Sequence, residues 1–456
     1  MIDRRSLLST GAAAASLVAC GRVGDLPLPA GSFVYREGSG FVRDGQPYRV
    51  IGANVWYAAW LGADAPYGDR ARLVRELDRL KALGVDNLRI MASGEEGPLR
   101  NSIKPGFTRA DGSANRELFE GLDFAMGEIG KRGMTAALVL SNFWEWSGGL
   151  QTLLWRSRGG GSARYLDMGD PAHPWPAFAD ATAGFYADEP ARALYAEHLD
   201  HIVTRTNSVT GLPYARDPAI FSWQLANEPR PGGSDAAIAR NADAYYDWID
   251  ASAARLRELA PAHMVSLGQE GTHAANGQEA VVLRAHRNMD YLTAHVWPLV
   301  WGWAKGNDLA GTWDNVETRT RAYLSAHERL AGALGKPLVI EEFGFPRDGE
   351  SYDPAAPTEW RRRFYRLVHG VVEDSWRTRG PIAGSAFWAW NGEARSKHPD
   401  ARYRDGDNLR RGSYMGDPPH EPQGWFGIFD SDAAMLRDLN NHAGQRCLGL
   451  ETRRSA

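Results

Sequence analysis

Eight short apolar runs recur along this chain, most of them separated by helix-patterned stretches. They read as strands over 48–54, 85–91, 134–141, 220–227, 264–268, 291–295, 336–344 and 382–388. Helical periodicity fills 70–83, 116–132, 187–206, 236–259, 316–334 and 357–372, with Leu73, Leu77, Leu80 and Leu83 along one face of the first. Runs that are apolar nearly throughout are covered on both faces, as strands of a parallel sheet are. Eight of them alternating with helices meet the count of an α/β chain folded as one (β/α)8 TIM barrel. The rival, an open doubly wound sheet, would carry a glycine-rich phosphate turn after an early strand. The run Gly159-Gly160-Gly161 follows no strand and opens no helix. Before the first barrel strand, 33–48 alternates apolar and polar residues around Asp44-Gly45, a hairpin signal suited to capping the barrel floor.

Two of the strands run out on carboxylates. Phe221 to Ala226 is followed by Asn227-Glu228-Pro229-Arg230, and Pro229 cannot donate to a ladder, so the strand stops there. Leu338-Val339-Ile340 leads into Glu341-Glu342-Phe343-Gly344. In a (β/α)8 barrel the C-terminal strand ends are where chemistry sits. Two carboxyls facing each other there are the minimum equipment of glycoside hydrolysis: one protonates the leaving oxygen, and the other attacks or activates water at the anomeric carbon. Asn227 can hydrogen-bond a sugar hydroxyl beside them. Glu145 and Glu270 also follow strands and compete for the role.

Composition narrows the partners. A net charge of -4 argues against a nucleic-acid ligand. The 17 Trp are many, and groups such as Trp144 and Trp146, or Trp297, Trp301 and Trp303, stand just after predicted strands, where they can stack on sugar rings. The scattered histidines give no metal-ligand spacing, so neither metal nor cofactor is expected. No Gly-x-Ser-x-Gly elbow points to an esterase.

The first 20 residues read as an export signal. Arg4-Arg5 precedes a small apolar stretch too short to span a bilayer, and Leu17-Val18-Ala19-Cys20 has the form of a lipoprotein cleavage box, with Cys20 as the lipidated residue. Residues 21–32 are a Gly/Pro-rich tether, and 33–456 form the catalytic barrel domain. The expected location is the periplasm or the outer membrane, the cell surface included, with the chain a monomer.

Trp223 to Arg230 together with Val339 to Gly344 resembles glycoside hydrolase family 5, most closely its β-mannanase branch. Gly416-Asp417-Pro418-Pro419 with Gln423-Gly424 resembles the tail of its bacterial members. The resemblance implies a retaining double displacement, with Glu228 as acid/base and Glu342 as nucleophile. In the family the nucleophile precedes the aromatic-glycine pair, which selects Glu342 over Glu341; strand alternation agrees with only one of the two facing the lumen. The resemblance further gives Arg89 as the cation holding the nucleophile ionised, His295 as the histidine beside the pair, and Trp388, with Trp390 as its rival, as the platform under the sugar. Where the family commonly has a tyrosine bonded to the nucleophile, this chain has Trp297, which can only donate. Asn142, Trp144, Trp301 and Trp303 are expected along flanking subsites.

The implied activity is endo-cleavage of β-1,4-mannosidic bonds in mannan. An exo-acting β-mannosidase is the alternative, if the excursion 142–180 walls off the cleft. A β-glucanase and a non-catalytic carbohydrate-binding lipoprotein stand further back.

Overall fold

A computed structural model describes residues 33–450, apart from 405, 408 and 409. The export signal with Cys20, and the tether, lie outside the described residues. The chain opens with a three-stranded antiparallel sheet, β1 (Tyr35–Glu37), β2 (Gly40–Arg43) and β3 (Gln46–Tyr48). Asp44 and Gly45, both at positive φ, make the two-residue turn between β2 and β3. Phe41 points from this sheet into the barrel floor, 5.2 Å from the Phe221 ring and 5.5 Å from Tyr291. Burying such a ring contributes about 1.5–3 kcal/mol and seals the end of the barrel away from the cleft.

The barrel strands are β4 (Val50–Asn54), β5 (Asn87–Met91), β6 (Thr135–Val139), β7 (Ile220–Gln224), β8 (Met264–Ser266), β9 (Leu292–Val296), β10 (Leu338–Phe343) and β11 (Ile382–Phe387). All neighbours pair in parallel, in the order β8-β7-β6-β5-β4-β11-β10-β9. Every residue of the eight is buried, as doubly covered strands require. Between β8 and β9 closure is carried by single bonds: Asp290 N–H donates to Val265 O at 2.8 Å, and His295 N–H to Glu270 O at 3.1 Å. Helices Arg70–Ala82, Arg116–Lys131, Glu189–Thr204, Asp235–Leu259, Trp313–Leu334 and Glu359–Thr378 cover the outside. The side chains of Asp69, Asp188 and Ser234 cap the N-termini of the first, third and fourth of these.

Three differences from the sequence reading bear on the site. Helix Glu279–Ala285, between β8 and β9, is too short for its periodicity to register. The excursion after β6 is not bare loop: it carries helices Gly149–Ser157 and Ala177–Thr182. After β11 the chain forms β12 (Trp390–Gly392), which pairs with β13 (Ile428–Phe429); the strap between them lies over the barrel mouth.

Candidate active site

Because the barrel strands run one way, their ends share a rim. Glu228 lies four residues beyond β7, in the left-handed region at φ 50°. A non-glycine residue holds that conformation at a cost of about 1–3 kcal/mol, only where its surroundings dictate it. Here Glu228 N–H donates to Gly268 O at 2.9 Å, Asn227 N–H to Ser141 O at 2.8 Å, and Tyr245 Oη to Pro229 O at 3.0 Å. The loops after β6 and β8 thus fix the turn that carries the carboxyl.

Glu342 comes from β10, where alternation fails. Ile340 pairs with Ala294 and Glu342 with His295, so Glu341 is an extra residue in a bulge. Both carboxyls therefore end inside the barrel, which corrects the expectation that only one would face it. Glu341 lies deeper, accepting from Gln224 Nε2 at 2.7 and 3.0 Å and from Tyr291 Oη at 3.2 Å. Glu342 reaches the cleft.

A carboxylate oxygen of Glu228 and one of Glu342 lie within 4.8 Å of each other, with His295 Nδ1 between them. His295 Nδ1 is 2.6 Å from Glu228 Oε1 and 3.3 Å from Glu342 Oε2. The 2.6 Å separation is a hydrogen bond and is tighter than the spacing of two ligand atoms around one metal ion at about 2.1 Å. Arg89 donates through Nη1 to Glu342 Oε1, through Nη2 to Asn227 Oδ1 at 2.8 Å, and through Nε to Gln224 Oε1 at 2.7 Å. Its Nε is also 3.7 Å from Glu341 Oε2.

Three carboxylates (Glu228, Glu341, Glu342) thus face two cations, Arg89 and His295. One proton on the Glu228/Glu342 pair cancels the remaining charge. Burial disfavours the His295 cation, but the Glu342 charge and the bonds to Glu228 and Glu341 outweigh it and raise its pKa to about 9. Burial also raises both members of the pair. For Glu342 it prevails over His295 and Arg89, giving about 7. For Glu228 the bond and charge of His295, then Arg230 and Trp144, overcome it and hold the group below the usual carboxylate range. The two carboxyls thus titrate as a pair that shares one proton.

The cleft has a volume of about 600 Å³. Of the expected residues, Asn227, Glu228, Glu342, Trp144, Trp297, Trp301 and Trp388 line it. Arg89 and His295 sit directly beneath, bonded to the carboxyls. Asn142 is fully buried and accepts from Asn227 Nδ2 at 3.0 Å, so it supports Asn227 from behind instead of lining a subsite. Trp303 packs behind Trp301, ring centroids 4.9 Å apart, and is off the cleft wall. Trp297 makes no bond to Glu342; its ring meets Trp388 edge-on at 6.0 Å and Phe426 at 5.0 Å. Trp390 turns away, its Nε1 donating to Glu76 Oε2 at 2.8 Å, because β11 ends at Phe387 and alternation does not extend past it. Of the two, Trp388 alone is on the cleft wall.

Other residues at the site carried no role in the sequence reading. Arg230 pairs with Glu270, and its guanidinium lies 4.9 Å from the Trp144 ring and 5.5 Å from Trp175. Glu145 faces His420 of the strap at 3.5 Å, and His420 lies 3.6 Å from Glu421. Glu145 and Glu270 are thus each paired with a cation, His420 and Arg230, apart from the group formed by Glu228, Glu342 and His295. Arg230 was readable in the Asn-Glu-Pro-Arg motif, and His420 directly follows the Gly-Asp-Pro-Pro motif, but only the fold brings the latter to the cleft.

A family model described as GH family 5 beta-mannosidase-like matches residues 31–448. Mannan endo-1,4-beta-mannosidase 1 of Arabidopsis thaliana is 27% identical over 372 residues, 78% of this chain and 81% of that protein. A family 5 mannosidase from Rhizomucor miehei, known by crystal structure, superposes with a TM-score of 0.80 at 31% identity, covering 91% of this chain and 97% of its own. An endo-1,4-beta-mannanase from the same organism shares the fold, with a TM-score of 0.63 at 21% identity, covering 91% and 99%. With its barrel, its strand-end carboxyls and these likenesses, the chain is a glycoside hydrolase and belongs to the β-mannosidase-like members of family 5.

Proposed function

We propose that this enzyme is a retaining β-mannosidase that releases single mannosyl units from the non-reducing ends of β-1,4-linked manno-oligosaccharides and mannan. The observation that carries this reading is the contact of Glu145 with His420, 3.5 Å apart, across one end of the cleft. An acid/base donates to the leaving oxygen, so the leaving group belongs on the Glu228 side, among Trp144, Arg230, Trp175 and Trp301. The sugar being attacked belongs over Glu342 and Trp388. Beyond that sugar the strap closes, with Pro418, His420 and Glu421 as its wall. Buried Glu145 Oε2, His420 Nδ1 and Glu421 Oε2 have no hydrogen-bond partner there, and such atoms suit the hydroxyls of a chain end. The likeness to a mannosidase at a TM-score of 0.80 agrees.

In the first step Glu342 attacks the anomeric carbon, the glycosidic C–O bond breaks, and Glu228 gives its proton to the departing oxygen. Water then attacks the mannosyl ester, Glu228 takes a proton from it, and Glu342 leaves as carboxylate. The separation of the two carboxyls, within 4.8 Å at their nearest, supports retention; inverting pairs stand about 6.5–9.5 Å apart. The proton that the pair shares must stand on Glu228 when attack begins. Positive charge developing at the anomeric carbon over Glu342 favours the ionised form there and so the proton on Glu228.

A second reading is endo-acting mannanase, favoured by the name of the Arabidopsis relative. A product time course on mannohexaose separates the two. Mannose from the first minutes, with the chain shortening one unit at a time, is the expected result. Early mannobiose and mannotriose would overturn the exo reading. We also infer export with lipid attachment at Cys20, from the lipobox sequence; Cys20→Ala should move the enzyme from the membrane to the soluble fraction, and an unchanged distribution would refute it.

A further inference from the structure

Glu228 is gripped at both oxygens. His295 holds Oε1, and on the cleft side the indole Nε1 of Trp144 donates to Oε2 at 2.5 Å. Trp144 is itself held firmly. Its ring stacks on Phe178 at an interplanar angle of 11°, and the Arg230 guanidinium covers it at 4.9 Å. Arg230 is tied in turn to Glu270. The backbone N–H of Trp144 donates to Asn142 Oδ1 at 3.0 Å. A residue needed only as a stacking surface for sugar has no use for this aim. An indole N–H donates and never accepts, so the bond is strongest while Oε2 is an ionised acceptor and weakens when it takes a proton. Yet Oε2 lies on the side where a leaving group must collect the proton.

On the reading of Glu228 as acid/base, we propose that Trp144 is a positioning residue for it: the indole aims Oε2 into the leaving-group side and holds it as an acceptor, so that the acid is loaded only against that bond. The other charged or titratable groups facing Glu228 are His295 and Glu342 from β9 and β10, Arg230 beside it, His273 and Tyr323 across the leaving-group side, and His420 and Glu421 on the strap. Trp144 is the neutral donor among the contacts that favour the ionised carboxyl.

The test is the pH profile of kcat/KM for two substrates, in the wild type and in Trp144→Phe, which keeps a ring and removes the N–H. Benzothienylalanine at position 144 keeps both rings without the N–H and serves if Trp144→Phe folds poorly. Mannobiose needs a proton on its leaving group; 2,4-dinitrophenyl β-mannoside does not. In the wild type the alkaline limb should therefore be present for mannobiose and absent for the dinitrophenyl substrate. A limb common to both would overturn the assignment of Glu228 itself. If that assignment holds, loss of the N–H should move the mannobiose limb to higher pH by about one unit or more, the shift expected when a hydrogen bond to the charged form is lost. A limb unmoved in both variants, with activity merely scaled down, would reduce Trp144 to a stacking surface and overturn the proposal.

Discussion

Glu341 and Glu342 are consecutive on β10 and lean on the same guanidinium, because the bulge against β9 turns both into the barrel. Their surroundings separate them: Glu341 is bonded by Gln224 and Tyr291 in the interior, whereas Glu342 opens on the cleft. Glu342→Gln is expected to lower kcat by about 10⁴-fold or more, as loss of a nucleophile does. Glu341→Gln should cost about tenfold or less, as it only removes one of the charges that support the His295 cation. Steady-state rates on mannobiose decide; equal losses would mean that the two share the chemistry.

Activity should depend on the single proton of the Glu228/Glu342 pair. With Glu342 raised to about 7, chiefly by burial, that proton is lost as pH rises past this value. Above pH 7, kcat/KM for mannobiose is expected to fall about tenfold per unit. His295 keeps its charge through this range, since its own pKa is raised to about 9. His295→Ala removes a cation that favours ionised carboxyls, so its alkaline limb should move upward while the maximum rate drops. A downward move would contradict this electrostatic account.

Arg89 bonds Glu342, Asn227, Gln224 and Asn54, and lies near Glu341. Arg89→Met leaves two buried carboxyls without their cation. Breaking a buried pair on one side costs about 3–5 kcal/mol, and urea unfolding should record a loss of that order. Arg89→Lys should restore little, because a single ammonium cannot reproduce the planar fork.

Asp417 anchors the strap. Its carboxylate accepts from the backbone N–H of Gly424, Phe426 and Gly427 at 2.8–3.0 Å, and from Asn391 Nδ2 at 3.0 Å. Asp417→Ala strands these buried donors, each at about 1–3 kcal/mol before relaxation. On the exo reading, a loosened strap should let mannohexaose yield mannobiose beside mannose. Unchanged products from a folded variant would show that Asp417 does not control the closed end.

Much of this was readable from the sequence, for identifiable reasons. Strands buried on both faces leave apolar runs that survive inspection one residue at a time, so all eight barrel strands could be found, with ends within a few residues of those observed. The strand ends then located Glu228 and Glu342. What a sequence does not carry is register. Alternation on β10 misplaced Glu341 because the bulge depends on the pairing with β9. Trp388 and Trp390 were inseparable because nothing local says that β11 stops at Phe387. His420 and Glu421 stand nearly two hundred residues after Glu228 and reach the site only because the strap folds back over the rim. Asn142 and Trp303 follow strands as true subsite residues do, yet sit one layer behind.

On the exo reading the strap has a kinetic consequence. A groove stopped at one end has one door, used by polymer, water and both products. A released mannose would then be trapped at the blind end until the shortened polymer had backed out. Successive cuts on one polymer would be interrupted by full disengagement, so that the enzyme would work by repeated visits instead of threading along its track.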